Sequence, residues 1–443
     1  MIVSIPFGFS PGDNNDMAAM FESMASALRN SSSNSSVNWE SARASANEAI
    51  KNAGDPNISA DANSQVEQSS SLADLWLNDV TLFPSLGLSC TTLTRSEWIS
   101  STFDSWKAIV EPVADGVAGA MSGLMPTEIP EGQIDIPEEL LSALPPEMAD
   151  QVKSMLGSAD FKQIASQMMS LAKSMGATMF GTQFGQALGS MATEVLSSTD
   201  IGIPLSTPAR PALIAANVDS FINGLSLDAN EARLYVALRE HALTRLFTAA
   251  PWVQSQMLAS LGTYARGVHV DTARIEAVIQ DIDPTNPNSL NELLGGNLFE
   301  ADQSPEQRAA LDRLEVLLAL IEGWVTVVVT QAVANRLPSA GALEETFRRR
   351  RASGGPAEKL FGGLVGLEIR PRRIREAIAL WQHISATYGN DKRDNLWAHP
   401  DLLPSASDLE NPQGFMDETS YDLMTELSNA IEPPPIGEEL PDN

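Results

Sequence analysis

The chain has 443 residues with 43% hydrophobic side chains, enough to bury a sizeable core, and its 57 acidic against 28 basic residues give a formal charge of -29. Such a charge repels phosphate backbones and anionic membranes, so neither nucleic acid nor a membrane surface is an expected partner. A single cysteine, Cys90, excludes an internal disulfide and a thiolate zinc knot within one chain.

The start, MIVSIPFGFSPGDN, carries no basic n-region and no apolar stretch of signal-peptide length, and no uninterrupted apolar run of membrane-spanning length is evident elsewhere. A cytoplasmic protein is expected. Acidity is uneven: residues 1–160 hold 6 basic and 22 acidic side chains, residues 341–380 hold 9 and 5. Positive surface is therefore expected only in the C-terminal half.

Residues 30–67, with SSSNSSVN near their start, are rich in Ser, Asn and Ala and read as a linker with at most a short helix. Helical spacing begins at Ser71, in LADLWL and WKAIVEPVADGVAGAMSGLM, with Trp76, Trp98 and Trp106 as anchors. Five prolines then break PTEIPEGQIDIPEELLSALPPEM into turns ahead of a helix opening at Pro137.

In residues 158–198 Gly and Ala recur every three or four positions, a spacing that lets helices approach closely. Lys162, Lys173 and Gln183 argue for a buried helical pair rather than a membrane hairpin. ALIAANVDSFI suits an edge strand or a short helix. A strong helix opens at Asp228, with Glu231 placed for a capping box, and runs to Pro251; a second spans about Pro305 to Asn335. From Asp408 the chain is acidic and Pro-rich, a composition that favours disorder. The expected organisation is a flexible acidic segment over 1–70, a helical domain over 71–405 and a tail over 406–443.

Five segments carry a resemblance: PFGFSPGD, NEARLYVALREHALTRLFTAAPWVQSQM from Asn230, LEVLLALIEGWV from Leu314, RRRRASGGPAEKLFGGLVGLEIRPRRIREAIALW from Arg348, and NLWAHPDLLP from Asn395. In order and spacing the chain resembles the actinobacterial zincin-like metallopeptidase family. The resemblance implies a mostly α, zincin-like helical domain with few short strands and disordered termini. It also implies a hydrolase site in which H-E-x-x-H supplies two zinc ligands and a general base, with a later Glu as third ligand. Laid on this chain, the ligand positions fall on Arg239 and Leu243, the base on Glu240 and the third ligand on Glu322.

Guanidinium offers no lone pair and leucine no donor atom, so no metal or other cofactor is expected at this motif. His241 does not replace a ligand, because two residues along a helix turn it roughly 200° from Arg239. Arg239 is instead expected to supply positive charge where zinc would sit, pairing with Glu240, Glu322 or both. The chain then reads as a relative without peptidase activity that binds a protein or peptide, its oligomeric state open. The alternative is a working hydrolase with Glu240 as base and a metal, zinc by family, held by Glu322.

Other features read more plainly. Glu240 is expected to pair with an arginine. His241, His269, His383 and His399 are scattered, and the His399 ring is expected to bond a nearby backbone group in its loop. Arg348 to Arg351 and RPRR from Arg370 are expected to pair internally. Trp324, Trp381 and Trp397 suit core packing. GGLVGLE from Gly362 lacks the Lys-Ser/Thr end of a phosphate loop, and nothing forms the nucleophile elbow G-x-S-x-G.

Overall fold

The computed structural model describes residues 35–122, 159–206, 208–267, 304–352 and 372–415, together with residues 358, 360 and 362. Their chain order is α1 (Trp39–Ala53), α2 (Ala60–Leu77), β1 (Thr91–Leu93), α3 (Arg95–Ser122), α4 (Ala159–Ala192), β2 (Ala212–Ile214), α5 (Ala215–Asn223), α6 (Ala229–Ala249), α7 (Trp252–Arg266), α8 (Pro305–Val333), α9 (Ala340–Ala352), α10 (Ile374–Tyr388), α11 (Asn390–Asn395) and α12 (Ala406–Glu410). The fold is mostly α, as expected, with two short parallel strands paired from Thr91↔Ala212 to Leu93↔Ile214. The helix expected at Pro137, His269 and the tail beyond residue 415 lie outside the described residues.

The Ser- and Asn-rich stretch corrects the linker expectation. From residue 39 it forms α1, capped by the Asn38 side chain on Ser41 N at 3.1 Å and ended at Gly54 with φ 88°. α2 follows, so helices begin well before Ser71. What holds α1 is small-on-small packing: Ala42 and Ala46 are buried against α4, whose Gly181, Gly185 and Gly189 face them. A Cβ at Gly185 would collide with the Ala42 carbonyl, so only glycine lets these backbones meet. The Gly/Ala spacing of residues 158–198 thus marks one long helix with α1 as its partner, not two helices paired within the segment.

ALIAANVDSFI divides between the alternatives, β2 passing directly into α5. Asp228 caps α6 by accepting from Asn230 N and Glu231 N at 2.9 and 3.0 Å. Glu231 does not close the capping box; it reaches across to Ser339 N at 2.8 Å. Ser304 and Gln307 do form a reciprocal box at the start of α8.

Because α6 and α8 are buried nearly all round through their middles, they form the centre of the molecule. α2 packs along α6, while α7 and α10 pack on α8. α8, contrary to the expectation that no run of that length exists, is long and apolar enough to cross a membrane by composition, but 78% of its most apolar window is buried within the protein. It is a core helix.

Trp324, Trp381 and Trp397 are fully buried, and Trp397 stacks on Trp381 at 5.7 Å and on Trp252 at 6.4 Å between ring centroids. Beneath them lie Arg393 and Asp394, also fully buried. Asp394 accepts from Trp324 Nε1 at 2.8 Å, from Arg393 Nε at 2.7 Å, and from Thr81 Oγ1 and Leu82 N, both at 2.7 Å. A buried carboxylate so satisfied fixes the segment after α2 to the core.

Candidate functional site

α6 and α8 bring Arg239 and Glu322 together. Arg239 Nη2 donates to Glu322 Oε1 at 2.7 Å and Oε2 at 2.8 Å, both side chains being almost wholly buried. The Arg239 guanidinium also lies 4.8 Å over the Phe347 ring, an additional contact for the cation. Burial alone would favour losing its proton, but Glu322 outweighs that and raises its pKa further. Arg239 is therefore a permanent cation, and Leu243, one turn on, is buried without a donor atom.

Glu240 does not join this pair. Successive helix residues diverge by about 100°, so its fully buried side chain leaves α6 in another direction. Oε1 accepts from Ser198 Oγ at 2.5 Å and Ala212 N at 2.9 Å; Oε2 accepts from Thr199 Oγ1 at 2.5 Å and Thr199 N at 3.1 Å. The arginine expected beside it is replaced by hydroxyls and backbone N–H groups, which satisfy both oxygens of the buried carboxylate. Glu240 thus ties α6 to the 197–200 turn and to β2, and the Cys90 thiol nearby, pushed up to about 12 by burial and then by the Glu240 charge, stays protonated.

The arginine run closes the other side. Arg348 and Arg349 pair with Glu345 on α9, whereas Arg350 grips Asp200 at 2.8 and 2.9 Å. Arg351 donates to the Asp200 carbonyl and lies 3.4 Å from Glu322. Internal pairing was expected here, and the partners are Asp200, Glu322 and Glu345. Arg373 lies 3.6 Å from Glu410.

Burial works to raise the Asp200 carboxyl, but Arg350 and Arg351 outweigh it and hold it at about 2. Since an ordinary Asp titrates near ~3.9, Asp200 adds stability that is complete above that value and disappears as pH falls toward 2. The contribution is roughly 2 kcal/mol at neutral pH. Urea midpoints from pH 7 to 3 are expected to fall below pH 4, and Asp200→Asn to flatten that part of the profile. An unchanged slope would remove Asp200 from the account.

The other histidines stay apart. His399 accepts from Asp401 N at 3.3 Å in its loop, as expected, and His383 sits on α10. His241 turns toward α2, away from Arg239.

A core helix thus carries Glu240 between Arg239 and Leu243 and is set against a second helix that presents Glu322. The chain belongs to the Zincin-like metallopeptidase family, whose model matches residues 37–416. It is also similar to the crystal structure of a putative hydrolase with a novel fold from Chloroflexus aurantiacus. That match has 20% identity and a TM-score of 0.54, and covers 86% of this chain and 97% of that one. Comparison with curated proteins finds no match.

Zinc, which the family implies, is not fitted by the residues present. The positions that the resemblance assigns to ligands hold a cation, Arg239, and an aliphatic chain, Leu243, and Glu240 already has four donors. Among the described residues no group of three His, Cys, Asp or Glu side chains is arranged to hold a metal ion. Ser198, Thr199 and Asp200, which organise the site, were not singled out in the sequence; their only signal is the polar run SSTD after an apolar helix.

Proposed function

We propose that this zincin-like family member has lost zinc binding and peptidase activity and acts in the cytoplasm as a binding protein for a protein or peptide segment. The observation that supports the loss is the Arg239 contact with Glu322: the carboxylate that would face a metal is taken by a guanidinium. Retention of the helical frame with altered chemistry favours a role in recognition, and a surface as acidic as this one selects partners by charge. The alternative, a hydrolase using Glu240 as base, requires that carboxylate to shed donors on both oxygens before it could reach a water.

Purified chain incubated with excess zinc and then dialysed is expected to retain well under one ion per chain, to melt identically with and without chelator, and to leave peptide substrates uncut. Stoichiometric zinc that chelation removes, with a lower melting temperature, would establish the alternative. Absence of any stoichiometric protein or peptide partner on co-purification would remove the binding role.

A further inference from the structure

A second reactive cluster lies between α2 and α6. Serine and threonine hydroxyls inside helices commonly turn back to the carbonyl one turn earlier, as Ser69 does to Gln65 at 2.8 Å and Thr248 to Thr244 at 2.8 Å. Ser70 departs from this habit. Its hydroxyl is hydrogen-bonded to His241 Nε2 across the helix interface. On the far side of the ring His241 Nδ1 faces Asp74 Oδ1 at 3.5 Å. Ser70 and Asp74 stand one turn apart on α2, so a single face of that helix presents both to one imidazole.

Asp74 is itself held in place. Ser85 Oγ donates to its Oδ2 at 2.5 Å and Arg245 Nη2 to its Oδ1 at 2.6 Å, while Arg245 Nη1 binds the Phe83 carbonyl at 3.0 Å. Burial would raise the Asp74 carboxyl, but the bonds from His241, Arg245 and Ser85 outweigh it and keep it ionised. An ionised carboxylate facing Nδ1 favours the tautomer that leaves Nε2 as an acceptor for the serine proton. Arg245 Nε is buried and, among the described residues, has no hydrogen-bond partner, so the cluster holds a donor in excess of its own acceptors.

We propose that Ser70, His241 and Asp74 form a nucleophilic triad that accepts the acyl group of small, uncharged carboxylic esters. This rests on different residues from the zincin-type frame and does not depend on how the metal question is resolved. Ser70 Oγ attacks the ester carbonyl carbon as its proton passes to His241 Nε2. The bond from that carbon to the alcohol oxygen then breaks, and the leaving oxygen takes the proton from His241. Water next gives a proton to His241 and attacks the acyl carbon; the carboxylic acid leaves and the proton returns to Ser70 Oγ.

Ser70 and His241 are buried, so reaction requires the packing around them to open. The segment over residues 82–90, tied to the cluster through Phe83 and Ser85, presents Leu82 and Leu88 to solvent, so exposed apolar side chains stand in the segment that flanks the cluster. Exposed apolar side chains on a strongly acidic protein favour uncharged over anionic substrates.

The test is labelling of the full chain with a fluorophosphonate probe, followed by mass spectrometry of the digested protein. One adduct on Ser70 is expected, absent in Ser70→Ala and formed at least about 100-fold more slowly in His241→Gln, with circular dichroism checking that each variant is folded. Should either variant fail to fold, the position of the adduct in the parent decides. No adduct on Ser70 after prolonged incubation, or a folded His241→Gln that labels at the parental rate, would overturn the triad and leave the cluster as a polar contact between two helices.

Discussion

Arg239→Ala is expected to lower the unfolding free energy by about 3–5 kcal/mol, the range for removing one partner of a buried ion pair. The cost comes chiefly from what remains. Glu322 sits in an apolar stretch of α8 between Ile321 and Gly323, and without Arg239 its nearest cation is Arg351 at 3.4 Å, which is already engaged with Asp200. A carboxylate left so must protonate, move, or draw water into the core. Loss of the guanidinium over Phe347 removes packing as well as charge. Replacing both partners by apolar residues of similar size, Arg239→Met with Glu322→Leu, should recover most of the loss, because the pair itself offsets its own desolvation only approximately. Urea melts of the single and double variants measure this. An Arg239→Ala midpoint equal to the parent's would mean that the contact contributes nothing to the fold.

Much of this core was legible because α6 and α8 announce themselves locally. Asp228 and Ser304 are N-caps followed by apolar positions at helical spacing, and a cap with its periodicity needs no knowledge of the rest of the chain. Pairing of Arg239 with Glu322 was legible for a different reason: the family resemblance implies that both residues surround one point, and there they meet. α1 was not legible. Its buried face is Ala42, Ala46 and Ile50, too slight an apolar stripe to distinguish from a polar linker, and its stability comes from close approach to Gly181, Gly185 and Gly189 on a helix more than a hundred residues away. Small residues at helical spacing revealed that a partner existed, but could not say which segment it was.

Glu240 shows the same limit at the site. Its neighbours in sequence include Arg239 and Arg245, so an arginine partner was the natural reading, yet Arg239 turns to α8 and Arg245 to α2. The donors that satisfy Glu240 come from residues 28 to 42 positions away in the chain, through a turn and a three-residue strand. Pattern cannot specify which way a turn presents its hydroxyls; only the packed backbone does.

That geometry gives the second large effect. Glu240→Gln is expected to destabilise the protein by about 3 kcal/mol and Glu240→Ala by about 4–5 kcal/mol, since each leaves buried donors facing nothing or facing another donor. The amide is nearly the shape of the carboxylate, but it offers one acceptor oxygen where four donors converge, and its NH2 group meets either Ser198 Oγ and Ala212 N or the two Thr199 groups. Hydroxyls can rotate to accept instead; the backbone N–H groups of Thr199 and Ala212 cannot, so at least one stays unpaired in either amide orientation. A general base behaves differently: the same change would abolish activity while leaving the melt nearly untouched, because a base poised for water is not saturated by the protein. Chemical denaturation beside hydrogen exchange separates the two. Faster exchange at the Thr199 or Ala212 amide, with a lower midpoint, is the outcome a structural tether requires, and a parental midpoint with parental exchange would show that the carboxylate is free for chemistry.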